Sequence, residues 1–462
     1  MRGFGPVWKI AGNIAGENGL LTSNEPQTEN GASGKTGLQR IVANTVWLLA
    51  GKGFGGVLSF VYLGLITRTL GVTGFGQFSL IVGTAQMIVA VVTFQTWQVV
   101  VRYAATYVKN SAASGPYGRL IALASLFDVA GAVAGCLIAW GGVYWLAPYF
   151  GWDAELSRNA LIFCCVMLLS IKSTPMGILR VENRFDLSTY ADAVIPLMRM
   201  IGAGIVLAIG PSISGFLWAW AAAELACALV YWGLAAWQLR GRVPASAVRK
   251  PARAFKENVD IGAFLFVTNL SSTVTGLSQN LGMMLIGFFV SPAAAGFYRL
   301  ANQLSGAMTK ISGLLSRTIF AEVNLVRAQE GEESLQALFR KASRALVYTS
   351  LLVVLLVAVL GQPVLLLMSG REFLPAYPLL LVLAAAASVE LAGAMFEPVL
   401  MSGNRARTAL NIQIARLVLL VLLLALLLPW WGAMGAAMAT LLSAIVRMLM
   451  LRRAARSHLF AG

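Results

Sequence analysis

From Ile41 to Leu451 the chain is a succession of apolar stretches, each about 20 to 30 residues long, separated by short polar breaks. A helix satisfies all its backbone N–H and C=O groups internally, as hydrocarbon demands, so the chain reads as an all-α, polytopic membrane protein. Twelve transmembrane helices are expected, at 41–67, 76–101, 120–147, 160–179, 187–209, 213–238, 259–289, 295–322, 345–369, 376–401, 408–429 and 433–451. Only 12% of the 462 residues are charged and 58% are hydrophobic, which excludes an ordinary soluble enzyme. Residues 1–38 lack the apolar core of a signal peptide and read as a flexible cytoplasmic tail.

The net charge of +16 has no soluble basic face to sit on, so no nucleic-acid partner is expected; in a membrane protein it marks loops on one side. Of the 35 Lys and Arg, 26 fall in one set of alternate loops and the two tails, counting Lys172, Arg180 and Arg184 together, against three (Arg68, Arg158, Arg371) in the opposite loops. An even number of spans then places both termini in the cytoplasm. The four cysteines all lie in apolar runs and the single histidine, His458, is in the last few residues, so no metal site, catalytic imidazole or cofactor is expected.

The segment 241–257 is a basic linker with two prolines, leaving six spans on each side. A shift of 220 residues lays LITRTLGVTGFGQFSL (65–80) on LIGFFVSPAAAGFYRL (285–300), matching Leu65 with Leu285, Ile66 with Ile286, Gly76 with Gly296 and Leu80 with Leu300. The reading is an N-terminal six-helix bundle over 39–240 and a C-terminal one over 258–462. Because each holds an even number of spans, they keep the same orientation and are related by an axis along the membrane normal. That architecture belongs to transporters.

Six cations (Lys52, Arg199, Arg299, Lys310, Arg317 and Arg416) fall inside spans, where each costs at least about 2.5–3.5 kcal/mol unless it faces a bundle interior or water. Arg299, Lys310 and Arg317 are 11 and 7 residues apart and share one face of the eighth span to within about 20°, with Gln303 close to the same line. Lys52 lies near the middle of the first span, and the seventh carries a polar run from Asn269 to Asn280. Spans 1, 2, 7 and 8 are therefore expected to line a cationic cleft for an anionic, phosphate-bearing substrate. The bland alternatives are snorkelling of Arg68 and Arg317, and pairing of the others with buried acids such as Asp128, Asp192, Glu224, Glu390 and Glu397. Glu390 and Glu397 share a face of the tenth span; they, with Glu224, are candidates to bind a coupling H+ or Na+ or simply to neutralise a cation such as Arg416, and neutralisation is the preferred reading.

Arg68, Leu70, Gly71, Phe75 and Gly76 resemble the R-x-L-G-x-x-x-F-G signature of polysaccharide (O-antigen/exopolysaccharide) repeat-unit flippases in the multidrug/oligosaccharidyl-lipid/polysaccharide exporter superfamily. In the second half Phe288 stands in place of Arg68, so that copy does not repeat the arginine. The resemblance implies a multi-pass protein of the bacterial inner membrane that moves an undecaprenyl-diphosphate-linked oligosaccharide to the periplasmic leaflet by alternating access. Lys52, Arg299 and Lys310 would then neutralise the diphosphate midway, with Arg68 at the outer mouth and the lipid tail left in the bilayer. Polysaccharide polymerase and export proteins are the partners such a role implies. A cation-coupled multidrug antiporter of the same superfamily is the alternative, and acids in the first-half interior would favour it. Lipid II flippases commonly carry further spans after the position of Leu451. An enzyme is not expected, because the external loops are short: the longest, at 151–159, offers only Asp153, Glu155 and Arg158.

Overall fold

The computed structural model describes residues 37–108, 114–244, 250–307, 332–394, 396, 400 and 406–459; side chains are described from Gly55 onward, except at 332–342, 345, 406 and 456–459. All regular structure among these residues is helical. The helices are α1 (Gly37–Val92), α2 (Thr96–Val108), α3 (Ser114–Phe150), α4 (Ala154–Leu169), α5 (Ser173–Val181), α6 (Phe185–Ile209) and α7 (Ile213–Leu239). They continue with the short α8 (Ala254–Glu257), α9 (Ile261–Phe289), α10 (292–307), α11 (Glu332–Ser369), α12 (Ala376–Ala392) and α13 (Ala406–Leu459). Among the described residues, eight helical stretches are long and apolar enough to cross a membrane. Large apolar side chains such as Leu137, Ile209, Phe266, Leu355 and Trp430 lie exposed, as a hydrocarbon solvent allows.

Two of these helices double back at glycines. Gly71 (φ 65°, ψ −174°) and Gly432 (φ 55°, ψ −135°) take backbone conformations that side chains with a Cβ avoid. Tyr62 and Phe78 would be about 24 Å apart on a straight helix. Yet both rings touch Trp220, at centroid distances of 6.2 and 5.8 Å, so the chain reverses between them. Pro429 precedes the second reversal. Local capping starts three of the other helices: Asp153 accepts from the Leu156 N–H at α4, Ser212 from Gly215 at α7, and Ser291, followed by Pro292, from Ala294 at α10.

Helices α1 to α7 pack among themselves, as do α9 and α11 to α13, and α1 joins the two sets by lying against α9 and α11. The turns gather at one end. There Gly71 approaches Glu372, Gly74 approaches Ile213, Gly432 approaches Val290, and Tyr149 packs on Phe288 at 4.4 Å. Residues 72–92 run antiparallel to α9 along a seam of small residues, with Leu80 against Gly287, Gly83 against Met283 and Ala90 against Gly276. Gly76 and Gly296, matched by the 220-residue shift, meet at this end: a Cβ on Gly296 would lie 3.1 Å from the Gly76 Cα.

The signature residues build this junction. Arg68 donates from Nε to the Met368 carbonyl (3.0 Å) and from a terminal nitrogen to that of Leu367 (2.7 Å), answering the unsatisfied carbonyls at the end of α11. Beside it Thr67 donates to Ser369 at 3.0 Å. Phe75 is fully buried against Phe78 and Phe373. Arg68→Gln should loosen α11 from α1 by about 1–2 kcal/mol, read as a lower melting temperature, while Arg68→Lys, which keeps the charge but loses the fork, should recover part of it.

Of the expected tail, residues 1–36 lie outside the described residues, as do 245–249 of the expected linker.

Candidate functional site

At the centre, where α1 on both sides of its reversal meets α6, α7 and α10, lies a narrow, partly open cavity with about 30 Å³ accessible to water. Its wall carries Ser59, Tyr62, Ser79, Arg199, Trp220, Arg299 and Gln303 among apolar residues, and no carboxylate among the described lining residues. Two arginines thus face one space from opposite parts of the chain. Arg299, on α10, reaches across to Gln86 of α1, whose Oε1 accepts from both terminal guanidinium nitrogens at 3.3 Å. Among the described residues no carboxylate pairs with it. The like charge of Arg199 acts on it.

Arg199, on α6, stacks its guanidinium over the Trp220 ring, 3.4 Å from the centroid, and donates to Glu224 Oε1 at 2.8 Å. The other Glu224 oxygen takes the Lys172 ammonium. Glu224 is buried, so both its oxygens are held by cations and its charge is more than balanced. Four enclosed polar atoms of the cavity wall have no hydrogen-bond partner among the described residues: the Tyr62 hydroxyl, Ser79 Oγ, Arg199 Nε and Trp220 Nε1. Enclosed donors without acceptors are expensive in a dry site. The residues that carry them all line this one cavity, and a wall so short of acceptors suits an occupant rich in acceptor oxygens.

The sequence candidates scatter around this arrangement. Arg299 and Gln303 line the cavity. Arg68 does not; it lies at the Gly71 end on the α11 carbonyls. Asn269 donates to the Thr93 carbonyl at 3.2 Å, and four more residues of the polar run on α9 likewise join helices, while Ser278 and Asn280 donate back to the Val274 and Gly276 carbonyls of α9 itself. Ser272 accepts from Gln95, Thr273 donates to the Ala90 carbonyl, and Ser271 and Thr275 bond Gln413 of α13. A polar face in hydrocarbon can therefore be satisfied by neighbouring spans as well as by water or ligand. Glu390 pairs with Arg416, and Glu224 with Lys172 and Arg199. Lys310, Arg317, Glu397 and the side chain of Lys52 lie outside the described residues.

Lys172 needs correction. Counted with the loops, it instead sits at the break between α4 and α5 and reaches inward to Glu224. Arg199 is one of the six in-span cations but was not assigned to the site, and Gln86, Tyr62, Ser79 and Trp220 were not among the sequence candidates. For Arg199 a signal exists: a shift of 217 residues, close to the 220 of the repeat, lays it on Arg416, which among the described residues is also an in-span arginine with a carboxylate partner. Among the described residues no group of three or more His, Cys, Asp or Glu could hold a metal ion.

A buried carboxylate lies apart from the cavity. Asp128 of α3 accepts from the Thr96 hydroxyl (2.8 Å) at the start of α2, and from the Thr174 hydroxyl (2.6 Å) and N–H (3.1 Å) at the start of α5. It thereby holds both helix breaks, at 93–95 and 170–172. The α-helix N-termini supply the partial positive charge that lets a carboxylate stay there without a cation.

Comparison with known proteins agrees with this architecture. The chain is 27% identical over 349 residues to the inner membrane protein YghQ of Escherichia coli (strain K12), covering 74% of this chain and 95% of that one. Its fold is that of an inward-facing multidrug resistance MATE family transporter of the MOP superfamily (TM-score 0.66, 15% identity, 88% of this chain and 95% of that one). It also matches the lipid II flippase MurJ in an inward closed conformation (TM-score 0.63, 13% identity, 88% and 87%). Residues 41–320, more than half the chain, match the family described as polysaccharide biosynthesis protein, and the chain belongs to that family.

Proposed function

We propose that this protein carries an undecaprenyl-diphosphate-linked oligosaccharide across the bacterial inner membrane, from the cytoplasmic to the periplasmic leaflet. The observation that carries the reading is the central cavity itself: guanidinium groups from α6 and α10 and four enclosed, unpartnered polar atoms, with no carboxylate among the described lining residues. A diphosphate offers several anionic oxygens to such a wall and is the part of the substrate that hydrocarbon resists most. Lys52 and Lys310 would extend the same cationic path, and the lipid tail would remain in the bilayer.

Twelve crossings in two six-helix bundles, over 39–240 and 258–462, related by an axis along the membrane normal and rocking against each other, would expose the cavity to each side in turn. The meeting of the repeat-equivalent glycines Gly76 and Gly296 supports such an axis, since equivalent positions touch where a two-fold passes. Both termini would be cytoplasmic, and polysaccharide polymerase or export proteins would receive the product. The antiporter alternative fits less well, because a cationic drug would meet Arg199 and Arg299 on entry.

The test is reconstitution of the intact protein into proteoliposomes with a fluorescent undecaprenyl-diphosphate oligosaccharide, scored for leaflet transfer. Transfer above protein-free vesicles is expected. Absence of transfer together with ion-driven efflux of a cationic dye would overturn the proposal in favour of the antiporter.

A further inference from the structure

We infer that Glu224 is a built-in competitor for the substrate: it occupies Arg199 while the cavity is empty and yields that guanidinium to a phosphate group when one enters. The inference rests on the reading of the cavity as an anion site and adds to it the residue that regulates affinity.

The geometry carries it. Arg199 lines the cavity, but the hydrogen bond it makes among the described residues runs sideways, from its terminal nitrogen to Glu224 Oε1 at 2.8 Å. Its Nε remains enclosed and unpartnered, so its fork of donors is only partly used. Its plane is fixed by the Trp220 ring at 3.4 Å, which leaves the guanidinium oriented whether or not Glu224 holds it. Glu224 itself keeps a second anchor on Lys172 and does not need Arg199 to stay paired.

A carboxylate and a phosphate present the same kind of acceptor to a guanidinium fork, so they compete for it. The phosphate brings more charge and also meets Arg299 and the unpartnered Tyr62, Ser79 and Trp220 groups. Glu224 has proximity in its favour. With no phosphate present it prevents a bare guanidinium in hydrocarbon. With phosphate present it falls back on Lys172. A carrier must release what it binds, and a resident carboxylate poised to retake Arg199 keeps the anion from being held too tightly.

The experiment is isothermal titration calorimetry of the full chain in detergent, with inorganic pyrophosphate and with farnesyl diphosphate as probes. Glu224→Gln should tighten binding of both probes by about tenfold, because Arg199 no longer has an anionic neighbour. The tightening should vanish in an Arg199→Gln background, which a merely structural role for Glu224 would not produce. In proteoliposomes the same variant should show a lower apparent KM and slower turnover. If Glu224→Gln does not fold, Glu224→Asp, which keeps the charge but shortens the reach to Arg199, should tighten binding in the same titration. Unchanged or weaker binding in the Glu224 variant, with Arg299→Gln still abolishing it, would overturn the competitor and leave the anion site standing. Absence of binding by both the native chain and the Glu224 variant would overturn the anion site as well. Binding of pyrophosphate but not of farnesyl diphosphate would overturn the lipid-linked substrate.

Discussion

Replacing Arg299 by glutamine is expected to lower leaflet transfer of a lipid-linked diphosphate by about 100-fold, the effect of losing roughly 3 kcal/mol of charge-assisted hydrogen bonding. The residue is singled out by what surrounds it: an amide partner on α1, no carboxylate partner among the described residues, and a second arginine facing the same cavity. A cation paired with an acid would be structural, and its removal would destabilise the protein. Here neutralisation relieves an uncompensated charge in a low-dielectric site, so the melting temperature should stay the same or rise while transport falls. That opposite movement is the signature to look for. Arg299→Lys keeps the charge without the fork and should fall between the two, at about a tenfold loss. Wild-type transport by Arg299→Gln would remove Arg299 from the substrate path.

Gly76→Ala should be among the most damaging of the glycine-to-alanine changes at the described residues. A Cβ built there lands on the Pro292 carbonyl, 2.5 Å from its carbon, and a backbone carbonyl at a helix start cannot turn aside as a flexible side chain would. Relief requires residues 72–92 and α10 to separate, at a cost of about 3 kcal/mol. Gly296→Ala meets Gly76 atoms at 3.1 Å and the Val72 carbonyl at 3.2 Å, distances that a few tenths of an ångström would relax, and should cost about 1 kcal/mol. Gly141→Ala has nothing within 4 Å and should be neutral or slightly stabilising, since alanine suits a helix interior better than glycine. Thermal melts of the three variants check the order, and equal melting temperatures for Gly76→Ala and Gly141→Ala would contradict the packing described here.

The helical, membrane-spanning fold was legible because hydrocarbon imposes a length and a polarity that every span must obey, and the family was legible from Arg68 to Gly76. The two helix breaks at 93–95 and 170–172 were not, because each is a few polar residues inside an otherwise apolar run and is held by Asp128 from another helix. For the site, the sequence displays which cations lie inside spans but not which helices adjoin. Arg299 and Gln303 emerged from the spacing on one helix. Arg199 shares no helix with them, and its inclusion depends on α6 packing against α1 and α7. Lys172 sits at a break that resembles a loop end until Glu224 is seen beside it. The polar run on α9 shows the reverse: hydroxyls and amides that suggest a lining are consumed by the neighbouring helices.

The anchoring of Asp128 bears on how the chain is made. Its carboxylate draws on Thr96, 32 residues earlier, and on Thr174, 46 residues later. When α3 first leaves the ribosome, the later half of that set has not been synthesised. A carboxylate inside a span costs about 2.5–3.5 kcal/mol unless it is partnered, so α3 gains its full stability as a membrane helix only once α5 adds the Thr174 donors to that of Thr96.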